Sequence, residues 1–186
     1  DKPHPDVASA LNNVGLAYQA LGEVQKELGY QKQALEMRKA LYGDAPHLDV
    51  ARSLSNVGEA YYKLGELYKV IYYYEEALKF LTEEHRDLRQ SICHDLGCMY
   101  HIEAINTDNE KDRQEYLNKA AATFETAVAA SATPHAGVMT EYANFLIATK
   151  QPSQAYTYLN RAMASGDSDS TLDYNLLVQA TVSPVL

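Results

Sequence analysis

The chain has 186 residues, 46% of them apolar and 22% charged, which is enough to bury a core and too apolar for a disordered tail. A net charge of −9 and an isoelectric point near 5.1 weigh against a sequence-independent grip on nucleic acid or on an anionic membrane surface, since a phosphate lattice would be repelled. Nine Gly and six Pro are few for an all-β chain with its many tight turns. No apolar run approaches the roughly 20 residues that cross a bilayer, so membrane insertion is not expected.

Taken in chain order, the apolar residues return every three or four positions, as in Leu11, Val14, Tyr18 and Leu21, then Val24, Leu28 and Leu35. That is a helix period. It predicts helices over 6–21 and 24–42, then 49–64 and 67–84, with Gly22 and Gly65 turning the chain between partners in a backbone conformation that glycine adopts cheaply. The pattern continues over 87–105, 112–131, 136–149, 153–165 and 170–180. Asp6, Asp49 and Asp87 are expected to open helices by accepting an orphan backbone N–H bond.

The helices come in self-similar pairs. Asp6-Val7-Ala8, Leu11, Asn13-Val14-Gly15, Ala17-Tyr18 and Leu21-Gly22-Glu23 recur 43 positions later as Asp49-Val50-Ala51, Leu54, Asn56-Val57-Gly58, Ala60-Tyr61 and Leu64-Gly65-Glu66. Repeats are expected at about 4–45, 46–84, 85–133 and 134–167, forming one array over 1–186 that closes with the helix at 170–180. Gly97 and Ala120 are 23 apart where the other units keep 12, so an exposed loop is expected near 105–115, around Asn106-Thr107-Asp108-Asn109. The chain begins without Met, inside the recurring motif, and is read as a piece of a longer protein.

The spacing of Leu11, Val14-Gly15, Tyr18 and Ala34 resembles the tetratricopeptide repeat. The first two units, with His4-Pro5-Asp6-Val7-Ala8 and His47-Leu48-Asp49-Val50-Ala51, are similar to the longer variant of about 42 residues found in kinesin light chains. The resemblance implies an all-α fold, an α-solenoid (right-handed superhelix) of antiparallel helix pairs. In it, Gly15, Gly58, Gly97 and Ala143 fill one small site between crossing helices, matched by Ala120 and Ala155. Ala34, Ala77, Ala127 and Ala162 fill another. Glu27 and Gln31 depart from the Ala and aromatic expected there, and a carboxylate at a packed site needs a partner or solvent.

The chemistry of a site is sparse. His4, His47, His85 and His135 punctuate the repeats, while His94, Cys98 and His101 share one helical face. His94 and His101 stand about 10.5 Å apart along the axis, too far to converge easily on one metal ion. No metal, cofactor or catalytic residue is therefore expected. Cys93 and Cys98, too few to staple a domain, fit a reducing compartment, and the chain reads as cytoplasmic.

What remains is a surface. By the repeat register the first helices present Asn13, Arg52, Asn56, Glu59, Tyr62, Lys63, His94 and His101 to a concave groove that suits a peptide. The resemblance implies that Asn13 and Asn56 hold the backbone of an extended ligand. The expected function is a non-catalytic protein-interaction module. The alternatives are a spacer or self-association domain, paired through Tyr72, Tyr73 and Tyr74 or through the array ends, and a regulatory domain of a larger enzyme.

Overall fold

The computed structural model describes residues 2–131 and 134–165, and every regular element among them is an α-helix. The helices are α1 (Pro5–Ala20), α2 (Val24–Tyr42), α3 (Leu48–Lys63), α4 (Leu67–Lys79), α5 (Arg86–Asn106), α6 (Glu110–Ala129), α7 (Ala136–Ala148) and α8 (Pro152–Ala164). The terminal helix expected at 170–180 lies outside the described residues. Two compact units divide the chain, Asp1–Ile92 and Cys93–Leu186, with the division inside α5.

In the first unit α1 pairs with α2 and α3 with α4, while α3 also packs along α2. The turns form as expected: Gly22 and Gly65 both adopt φ of 72°, so each first helix ends in a left-handed residue that costs glycine little. The helix starts do not. Asp6 and Asp49 lie inside the first turn, where they complement the helix dipole, and the caps are His4 and His47, whose Nδ1 atoms accept the Asp6 and Asp49 backbone N–H at 3.2 Å.

The core is built on small residues. Ala34 and Ala77 are fully buried, and a Cβ added to Gly58 would meet a Tyr74 ring carbon at 2.6 Å, so only glycine lets α3 and α4 approach this closely. The helix expected to reach 84 stops at Lys79; Phe80 and Leu81 leave the helix to stay buried, and the Thr82 backbone N–H donates to His85 Nδ1.

In the second unit the same logic holds, with Ala120, Ala127, Ala143, Ala155 and Ala162 all fully buried and α7 paired with α8. The eleven extra residues do not form a long loop. Helix α5 continues nine residues past Gly97, where α3 continues five past Gly58, and α6 begins ten residues before Ala120, where α4 begins three before Val70. Only residues 107–109 stand between α5 and α6, and Asn109 caps α6 by accepting the Lys111 N–H at 2.9 Å. Helix propensity over Glu110–Ala129 outweighs the turn-forming tendency of Asn106 to Asn109, because one side-chain cap suffices to start α6.

Each hairpin also carries an aromatic pair, stacked for Tyr18 on Tyr30, Tyr61 on Tyr73 and Tyr100 on Tyr116 and tilted for Tyr142 on Tyr158, with ring centroids 4.7 to 6.3 Å apart. A cation covers each pair, Lys26, Lys69, Lys119 and Arg161 in turn.

Candidate functional site

In the first unit the residues expected to face a ligand fall into two sets. Asn56, Glu59 and Lys63 are tied into the scaffold. Asn56 Nδ2 donates to Asn12 Oδ1 at 2.8 Å and lies 3.4 Å from Oε1 of Gln31, which is fully buried between the helices. Glu59 Oε1 accepts from Gln19 Nε2 at 2.6 Å and meets Lys63 Nζ at 3.2 Å. Lys63 in turn reaches Glu27 Oε1 at 3.0 Å, which answers the need for a partner at this packed carboxylate; Glu27 Oε2 is buried and has none among the described residues.

Asn13, Arg52 and Tyr62 form the second set. All three are exposed, Tyr62 at 57%, and among the described residues none has a side-chain partner. The links Asn12–Asn56 and Gln19–Glu59 join α1 to α3, the two helices that carry the unpaired amide, guanidinium and phenol.

In the second unit His94 Nδ1 meets Asp95 Oδ1 at 2.9 Å, its Nε2 is buried without a partner among the described residues, and its ring edge lies against Phe124. His101 sets its ring edge-on to Phe145 at 5.1 Å. Burial pulls the His101 pKa below its ordinary value, with Glu141 opposing, so the imidazole is held neutral. Between these residues on α5, burial pushes the Cys98 thiol up to about 12, helped by Glu141 and Asp95, so it stays protonated and is neither a nucleophile nor a ready metal ligand. No three His, Cys, Asp or Glu gather into a metal-holding group among the described residues.

His101 also opens onto a cleft of about 920 Å³ bounded by α5, α6 and the end of α7. Its floor is apolar, with Ala104, Leu117, Ala121, Phe145 and Ala148, and its rim carries Gln114, Asn118, Lys150 and Gln151. Apart from His101, sequence reasoning missed this cleft, since Ile105, Glu110, Arg113 and Gln114 of its wall lie in the stretch that was expected to be loop. One signal was present: Glu110, Arg113, Gln114, Leu117 and Ala121 recur at helical spacing on one face.

Residues 6–83 match the family model of the tetratricopeptide repeat. No curated protein sequence matches significantly. The fold is similar to the nearly identical tetratricopeptide-like repeats of Podospora anserina assigned to a kinesin light chain. For a point variant of those repeats the identity is 19%, the TM-score 0.71, and 95% of this chain and 86% of that one are covered. It is also similar to a thermophilic tetratricopeptide protein of Thermus thermophilus, at 16% identity and TM-score 0.66, covering 95% of this chain and 82% of that one. Paired helices, glycine turns and small residues at the crossings agree with that likeness: residues 6–83 match the tetratricopeptide repeat, and the described helices share the fold of such repeats.

Proposed function

We propose that the chain is a non-catalytic protein-interaction module of the cytoplasm and that the face shared by α1 and α3 holds an extended segment of a partner protein. The observation that supports this most is the contrast between the two sets of side chains. Asn56, Glu59 and Lys63 spend their polar groups on fixing the helices, which leaves Asn13, Arg52 and Tyr62 as a preorganised donor, cation and aromatic surface, the kinds of group that anchor protein interfaces. The test is a peptide library displayed on phage and selected against the chain. Replacing Arg52 and Tyr62 together by Ala should weaken the selected peptides at least tenfold with the melting temperature unchanged; equal affinity would remove the reading.

Self-association is a second reading, favoured by a different observation. Val7, Ala10, Val14, Ala17 and Leu21 are exposed, Leu21 at 69%, whereas the repeat equivalents of the first four on α3, Val50, Ser53, Val57 and Ala60, are buried. The stripe reads nearly alike in both directions about Val14, so an antiparallel pair of α1 helices from two copies would set Ala10 against Ala17. Sedimentation that stays monomeric at all concentrations, and is the same for Val14→Glu, would dismiss it.

A further inference from the structure

We propose that the cleft of the second unit is a pocket for a peptide segment carrying a large apolar side chain next to a carboxylate, with Lys150 receiving the carboxylate and Phe145 lying beneath the apolar group. This inference rests on the reading of the chain as a peptide-binding module, and it assigns a site and a ligand chemistry separate from the face of α1 and α3.

Three observations carry it. The first is size and lining: about 920 Å³ lies within the range of ligand pockets, and an apolar floor under a rim of amides is the usual composition of one. The second is charge. Of the two cations at the cleft, Arg113 is neutralised, donating to Glu110 Oε2 at 2.6 Å and to the Thr107 carbonyl at 2.9 Å. Lys150 is exposed and has no partner among the described residues, so it is the uncompensated positive charge of the rim in a chain of net charge −9.

The third is backbone. Lys150 occupies the turn position held by Gly22 and Gly65, and it adopts the same left-handed conformation, with φ of 62°. A side chain there is strained where glycine is not. Nothing in the packing of α7 and α8 uses the ammonium group. A left-handed residue that lines a cleft and whose ammonium has no polar partner among the described residues is placed to meet a ligand. The neutral His101 at the other wall adds no competing charge, and its edge contact keeps the Phe145 ring in place.

The experiment uses three end-blocked pentapeptides, acetyl-Ala-Ala-Phe-X-Ala-amide with X as Asp, Asn or Lys, titrated into the labelled chain and followed by NMR. The Asp peptide should shift resonances of Phe145, His101 and Lys150, and bind about fivefold more tightly than the Asn peptide and more tightly still than the Lys peptide. Lys150→Gly should erase the preference for Asp over Asn while raising the melting temperature, which separates lost recognition from lost folding. Equal binding of the three peptides, shifts confined to other surfaces, or no binding at millimolar concentration overturns the proposal. Arg52→Ala with Tyr62→Ala separates the two readings: the cleft should bind unchanged in that variant, and peptides that shift only α1 and α3 leave the module standing while the cleft falls.

Discussion

The ammonium of Lys63 lies 3.0 Å from a carboxylate oxygen of Glu27 whose residue is 1% exposed, and this pair fastens α3 to α2. Removing one partner strands a buried charge, which costs more than the pair itself contributes. Lys63→Met should destabilise the chain by roughly 2 to 3 kcal/mol, and adding Glu27→Ala, which supplies the small residue usual at this crossing, should recover most of the loss. Denaturant midpoints of the two single variants and the double variant measure this; a double variant as weak as Lys63→Met would show that the pair is not coupled.

Glycine at the helix crossing sets a second expectation. A methyl group at Gly58 would come within 2.6 Å of the Tyr74 ring, and one at Gly97 within 3.0 Å of Phe124. Overpacking of this kind costs about 1 to 3 kcal/mol, against a gain of about 1 in helix propensity. Gly58→Ala should therefore lower the melting temperature, and Gly97→Ala should lower it less.

Lys150→Gly should act in the opposite direction, raising stability by about 1 kcal/mol by relieving the left-handed backbone. Urea unfolding at unchanged slope tests it. Gly22→Ala at the equivalent turn should lose about as much.

His101 gives a pH dependence whose sign is fixed. Its folded pKa lies below the unfolded value near 6.5, because burial disfavours the cation, while the facing Glu141 only partly offsets this. In the window from 6.5 down to the folded value the unfolded chain binds the proton and the folded chain does not. Stability is then full above about 6.5 and is lost as the pH falls through that window. His101→Gln should flatten this part of the stability profile, as read by denaturant midpoints between about pH 5 and 8.

The two thiols should be slow to react. Cys93 is buried, and the Cys98 thiol is pushed up to about 12, so little thiolate exists near neutral pH. Iodoacetamide should label the native chain at least tenfold more slowly than the urea-unfolded chain.

Much of the fold was legible because it is written twice. The 43-residue offset places Gly22 on Gly65 and Gly15 on Gly58, and these positions decide where helices end and where they touch. What escaped depends on contacts that periodicity does not encode. The cap falls to His4 because its ring nitrogen reaches the Asp6 N–H from two residues upstream, and residues 107–109 suffice to turn the chain because the flanking sequence prefers helix. The face of α1 and α3 was foreseen as a set of residues, but the engagement of Asn56 and Lys63 with Gln31 and Glu27 needed the third helix, α2, in place. The tyrosine pairs were half visible: Tyr18 and Tyr61 sit at one repeat position, while Tyr116 and Tyr158 lie 16 residues after their partners and break the pattern.

The added length of the second unit carries a rotational consequence. At about 100° per residue, the four residues gained by α5 overshoot one full revolution by about 40°, and the seven gained by α6 fall about 20° short of two. New side chains thus emerge in nearly the same angular sectors as those they follow. Growth here comes in quanta of whole coils, and an increment of two residues in α6 would swing Glu110 and Arg113 by about 200°, toward the opposite side of the rod.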